Sequence, residues 1–310
     1  MSLSMTACSS GGGGGTEDVT FGYISDYNGA SLLAIAETQG MWEDADLNVE
    51  VESFTNGPVQ IQALGAGDLD FGYIGPGAMW LPASGESRIV AINTLAYADR
   101  VIAQPDISSI EDLAGKRVGV PEGTSGEMAL NLALEDAGMS PDDVEKVPME
   151  PSTVVSAFSS GQIDGAGIWY PLIDTIAEEV PDLNEVASTR DFDGRSFPTA
   201  FVGGNDVDDE TTTKVIGVLQ QANDWRAEHP EETIAETATM LNISEENVEA
   251  DAANVETMTS DELVQATNDG TVDEWLNGLS EFFVDTGELQ SVPPPEDYYT
   301  GDLYTEANEK

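Results

Sequence analysis

The chain has 310 residues, with 59 acidic against 10 basic side chains, a formal net charge of −49 and a hydrophobic fraction of 40%. That length predicts about two domains with cores of their own, and so few cations exclude a nucleic-acid or membrane-surface binder that works through basic patches. High net charge also marks disordered chains, but apolar residues recur here in periodic runs and the acids are dispersed rather than gathered in a tail. A compact fold at this charge is expected to be adapted to molar salt, because the Debye length falls to roughly 3 Å at about 1 M.

Residues 1–16 predict a tether rather than a core element, since a Ser-Ser pair and five glycines follow Cys8. Met5-Thr6-Ala7-Cys8 resembles the end of a lipoprotein signal, in which small residues precede a cysteine that becomes lipidated; such signals favour Leu where Met5 stands. No hydrophobic stretch precedes Cys8, so residues 1–7 are read as the remnant of a leader. The alternative is an unmodified cysteine in an unstructured tail. No apolar run of membrane-spanning length occurs in the sequence.

The body of the chain repeats itself. Phe21-Gly22-Tyr23-Ile24, the apolar helix pattern Leu32 to Glu37, Gly40-Met41 and Val49-Glu50-Val51 match Val118-Gly119-Val120, Leu130 to Glu135, Gly138-Met139 and Val144 to Val147. The run from Ala63 to Ile74 matches the run from Ala157 to Ile168, and the offset stays near 94–98 residues throughout. Each copy reads strand, loop, helix, strand, helix, Gly turn, strand, which predicts two similar open and mostly parallel α/β sheets covered by helices. Two such lobes imply a ligand cleft outside the carboxyl ends of the strands. The loops that must face it are Ser25-Asp26-Tyr27-Asn28-Gly29, Gly75-Pro76-Gly77, Glu122-Gly123-Thr124-Ser125-Gly126 and Trp169-Tyr170-Pro171.

Thr124 and Ser125 open a helix, where backbone N–H groups can receive an oxyanion; simple capping by either hydroxyl stays open beside that reading. Asp26 reads either as a ligand contact or as one more solvated acid. An inward Asp26 needs a cation, and a solute with both an amine and an anionic group, as taurine has, would satisfy it together with the Thr124-Ser125 helix end. Trp169 reads as an aromatic lid over a small ligand, with core packing as its alternative. Apart from Cys8 the chain has no cysteine and only one histidine, His229 before Pro230, which excludes thiol nucleophiles, Cys/His zinc sites and Ser-His-Asp triads. No catalytic residue, metal or cofactor is expected. The acidic runs Asp191 to Gly194 and Asp206 to Glu210 lack the full ligand set of a calcium loop and read as turns and caps.

Glu111-Asp112-Leu113-Ala114-Gly115-Lys116-Arg117-Val118-Gly119-Val120, the Gly-Thr-Ser turn, Gly161-Gln162-Ile163-Asp164 and Ile168-Trp169-Tyr170-Pro171 resemble the solute-binding proteins of nitrate/sulfonate/taurine-type ABC importers, with similar patterns from about Val19 to Val202. The resemblance implies a bilobal type II periplasmic-binding-protein fold. Residues 17–102 plus 203–310 would form the first lobe and 103–202 the second, with crossovers near Val101-Ile102-Ala103 and Phe201-Val202-Gly203. The segment from Thr211 to Asp285 would be helices on the first lobe, with Trp225, Leu241, Trp275, Phe282 and Phe283 in its core. The implied ligand shell is Asp26, Tyr27, Asn28, Gly75, Pro76, Thr124, Ser125 and Trp169. Pro76 stands where sulfonate binders often place a hydroxyl residue. The implied function is capture of a small anionic or zwitterionic solute by lobe closure, at the outer face of the cell membrane, for delivery to an ABC permease, with lipid anchoring at Cys8. The alternatives are a pyrimidine precursor of thiamine stacked on Trp169 and Tyr27, and an enzyme that uses carboxylates on the same fold.

Overall fold

A computed structural model describes residues 16–308, so Cys8 and the glycine run lie outside the described residues. The first copy of the repeat supplies β1 (Glu17–Ile24), β2 (Leu47–Phe54) and β3 (Phe71–Ile74), and β4 (Arg88–Ala96) and β5 (Asp99–Ala103) follow. The second copy supplies β6 (Arg117–Val120), β7 (Glu145–Pro148) and β8 (Gly165–Trp169), after which come β9 (Asn184–Ser188), β10 (Pro198–Gly203) and the short β11 (Val255–Thr257). They assemble into two sheets, in the orders β11-β4-β10-β3-β1-β2 and β7-β6-β8-β5-β9.

The repeat survives in the pairing. β1 lies parallel between β2 and β3, and β6 lies parallel between β7 and β8. On the far side of β3 and β8 each sheet receives one antiparallel strand, β10 in the first and β5 in the second. Each of these is the first strand after the chain crosses between sheets.

The crossovers themselves lie a few residues from where the resemblance placed them. Val101-Ile102-Ala103 is inside β5 of the second sheet, and the outward crossing is Tyr97-Ala98. Phe201-Val202-Gly203 is inside β10 of the first sheet, and the return runs between Ser188 and Pro198. An apolar run announces a buried strand but not the sheet it joins, which is decided by its pairing partners.

Helices fall between the strands where caps and periodicity put them. Asp26 caps the helix Tyr27–Thr38 by accepting from the Gly29 N–H at 2.7 Å, and Asn56 caps Gly57–Ala66 by accepting from the Val59 N–H at 3.0 Å. Gly29 and Gly126, 97 positions apart, hold equivalent places. A Cβ on Gly29 would sit 2.5 Å from the Ile24 carbonyl oxygen, and one on Gly126 would run into the Gly167 carbonyl. Each helix can therefore press its first turn onto a strand end, which fixes the preceding loop at the carboxyl edge of the sheet.

The first sheet carries the largest core. Phe21 is fully buried and stacks on Phe71 with centroids 5.6 Å apart, while Phe201 meets it edge-on at 5.7 Å; burying one such ring is worth about 1.5–3 kcal/mol. The later helices, from Asp209–Glu228 to Gly301–Asn308, cover this sheet, with Phe282 and Phe283 in the core and Trp225 and Trp275 packed half-buried against it. Leu241 is half-exposed at the end of its helix and joins no core, unlike the expectation, because Asn242 turns the chain away in a left-handed conformation there. The second sheet is covered on both faces, and alternation along β5 sends Val101 to one cluster and Ile102 to the other. His229 ends the helix Asp209–Glu228 before Pro230, and Asp208 caps its start, as the sequence predicted.

Candidate functional site

The carboxyl ends of β1, β3, β6 and β8 face one another across a small cavity. Asp26 and Asn28 enter it from the loop after β1, Gly75 and Pro76 from the turn after β3, Thr124 and Ser125 from the start of the helix Ser125–Asp136, and Trp169 and Tyr170 from the end of β8. Seven of the eight residues expected to hold a ligand therefore line one space. Tyr27 does not. As the first residue of its helix it turns away from the cavity and packs with Ala238 and Val248 of the later helices. A ring stacked between Trp169 and Tyr27 is thus ruled out by geometry, and Tyr170 and Tyr73 are the additional aromatic walls.

The two sheets meet at the rim. Gly77 lies so close to the peptide between Thr124 and Ser125 that a Cβ there would overlap its backbone atoms. Asn56 Nδ2 donates to Glu150 Oε2 at 3.4 Å across the mouth. Glycine at position 77 is what permits that approach.

Asp26 is 7% exposed, so it is no solvated surface acid. Burial, then the nearby Asp251 and Asp99 carboxylates, push its carboxyl well above the usual range, against the Gly29 and Asn28 amides that favour its charged form. Asp99, at the start of β5, is 2% exposed and lies in register opposite Trp169. Burial raises it to about 6, with the Ser125 hydroxyl and the Arg100 guanidinium pulling the other way. Asp251, just behind, is raised by burial to about 7 although it accepts the Tyr27 N–H at 2.7 Å. One oxygen each of Asp99 and Asp251 is buried without a hydrogen-bond partner.

No lysine, arginine or histidine lines the cavity. Arg100 points to Glu185 at 2.8 Å and Asn254 at 2.8 Å. Arg226, 3% exposed, is held by Asn93 at 3.0 Å and Asn223 at 2.6 Å. Asn93 in turn donates to the Asn28 carbonyl at 2.9 Å, and Thr94 donates to Asn28 Oδ1 at 2.7 Å, so the Asn28 amide is fixed from behind. Thr124 does not cap with its side chain; its hydroxyl donates to the Pro121 carbonyl at 2.6 Å. The Glu127 carboxylate takes the Gly123 N–H at 2.7 Å and pairs with Lys146 at 2.5 Å.

Asn56, Tyr73, Asp99 and Thr199 also line the cavity and were not among the expected residues. Asp99 was detectable as an acid opening an otherwise buried strand, a placement that is costly without a purpose. Tyr73 and Thr199 carried no such signal, being ordinary strand residues whose position depends on β3 pairing with β10. Among the described residues no group of acids, histidines or cysteines has the geometry of a metal site.

Comparison with known proteins agrees with this architecture. A candidate binding protein of Brucella abortus (strain 2308) is 50% identical over 309 residues, covering 98% of this chain and 97% of its own length. The taurine-binding periplasmic protein of Escherichia coli (strain K12) is 29% identical over 140 residues, 44% of each chain. The alkanesulfonate-binding protein of Xanthomonas axonopodis pv. citri, solved with MOPS bound, superposes with a TM-score of 0.72 at 18% identity, covering 92% of this chain and 98% of that one. The family model described as NMT1/THI5 like matches residues 30–233, a span that takes in the first copy of the repeat beyond its first strand and loop, the whole of the second, and three of the four loops at the cavity. The chain belongs to the NMT1/THI5-like family and has the periplasmic-binding-protein fold.

Proposed function

We propose that this protein is the solute-binding component of an ABC importer, working at the outer face of the cell membrane and held there by a lipid at Cys8. It captures a small solute of the sulfonate, taurine or nitrate class between the two lobes built on the two sheets, and presents it to the permease. The observation that carries this reading is the convergence of duplicated strand ends on one cavity lined by groups suited to recognition, Asp26, Asn28, Ser125 and Trp169 among them. Asp26, Asn28, Gly75, Pro76, Thr124, Ser125 and Trp169 form the ligand shell, with closure tightening it about the solute. The taurine- and sulfonate-binding relatives support the solute class, and no helix of the described residues is long and apolar enough to cross a membrane.

A second reading, an aminopyrimidine, is favoured by the aromatic walls Trp169 and Tyr170 beside two carboxylates. An enzyme on this fold is the weaker alternative, since His229 stacks on Trp225 at 4.4 Å and does not line the cavity. Thermal unfolding at high salt with a panel of taurine, alkanesulfonates, nitrate, bicarbonate and an aminopyrimidine tests the proposal. A true ligand at 100 times its dissociation constant adds about 2.7 kcal/mol to the native state. Trp169→Ala should remove that shift while keeping the native circular dichroism. A panel that leaves the melting temperature unmoved, or wild-type binding by Trp169→Ala, rejects the solute class or the site respectively.

A further inference from the structure

We propose that Asp26 and Asp99 together form a subsite for a positively charged N–H group of the solute, so that the cavity selects ammonium- or amidinium-bearing molecules and rejects bare anions. The inference rests on the solute-binding reading above and sharpens it to a substrate class.

The main observation is Asp99. Its side chain belongs to the cavity wall, it is 2% exposed, and its Oδ1 has no hydrogen-bond partner. Buried polar atoms are almost always paired, and an orphaned carboxylate oxygen beside a cleft is explained by a donor that arrives with the ligand. Asp26 adds a second carboxylate to the same space. Its Oδ1 already receives the Gly29 N–H, which fixes the group and leaves its other oxygen available.

The charge around the cavity points the same way. The nearest cations are committed elsewhere: Arg100 to Glu185 and Asn254, and Arg226 to Ser31, Asn93 and Asn223. A bare sulfonate or nitrate would meet the Asp99 carboxylate beside the Asp26 carboxyl, opposed only by the partial charge at the start of the helix Ser125–Asp136. In a desolvated site a full charge dominates that partial one. A solute that carries its own cation reverses the balance, and its anionic end, where it has one, can still face Ser125. Trp169, opposite Asp99 in the β5–β8 register, adds an indole near the same corner, a surface that also attracts cations.

Two matched pairs of probes test the selection and separate its two chemical sources. Taurine and isethionate differ only in ammonium against hydroxyl. 4-Amino-5-hydroxymethyl-2-methylpyrimidine and its 4-oxo analogue differ in the exocyclic group and in the ring N–H that the oxo form carries, so that only the amino member can be protonated to an amidinium. Calorimetric titration of the full chain at pH 7.5 in high salt should find the amino member of at least one pair bound tenfold or more tighter than its oxygen analogue. The pair that shows the effect identifies an aliphatic ammonium or an aminopyrimidine. Asp99→Asn, and independently Asp26→Asn, which keeps a capping oxygen, should shrink that difference to threefold or less. Equal binding within both pairs, or binding of methanesulfonate or nitrate while neither amine binds, overturns the inference and leaves the solute-binding reading standing. If no member of either panel binds, both fall.

Discussion

Replacing Asp99 by asparagine should make the protein more stable while costing it ligand. The carboxyl group is raised from the ordinary 3.8 to about 6, chiefly because burial removes its hydration. A raised carboxyl means that the folded state holds the proton more tightly than the unfolded chain. Stability is therefore greatest below the unfolded value, falls as pH rises between about 4 and 6, and stays reduced above that window. Two pH units at 1.36 kcal/mol each correspond to about 3 kcal/mol lost at neutral pH. The substituted amide keeps the shape and carries no charge to desolvate. Urea unfolding at pH 8 and at pH 4, in the same high salt, measures the effect. The variant should be about 2–3 kcal/mol more stable than wild type at pH 8, and the difference should shrink towards zero at pH 4. A variant that is less stable at pH 8, or a difference that does not depend on pH, would refute the claim that Asp99 is held as a strained buried acid. The trade of stability for a binding group is the pattern expected of a functional site.

Gly77→Ala should weaken binding at least tenfold, since the added Cβ would overlap the Thr124-Ser125 backbone and hold the two sheets apart at the rim; small-angle scattering should find the variant wider than wild type, and wild-type scattering together with wild-type binding would contradict it. Removing salt should unfold the protein cooperatively, because 59 acids face 10 basic residues and only six ion pairs form among the described residues, most of them partly exposed. Circular dichroism that is unchanged from about 2 M to about 20 mM salt, where the Debye length grows several-fold, would remove the halophilic reading.

The repeat, and with it both parallel units and the four loops at their carboxyl ends, was legible in the sequence because helix and strand periodicity are local and the two copies could be read against each other. Asp26, Thr124 and Trp169 followed from that, since a residue just past a strand in an open α/β sheet has only one side to go to. Tyr27 could not be placed, because at the first turn of a helix one residue's difference turns a side chain from the cleft to the helices behind it. Asp99 and Thr199 belonged to strands whose sheet no local pattern names: β5 and β10 are inserted antiparallel beside β8 and β3. Only tertiary pairing sets those neighbours, and only tertiary burial turns an acid among 59 into one with an unpaired oxygen. Composition thus carried only an expectation about the solvent, and periodicity decided the architecture. The charge preference of the cavity depended on which carboxylates the fold removes from water, a property of the assembled sheets that no stretch of the chain carries alone.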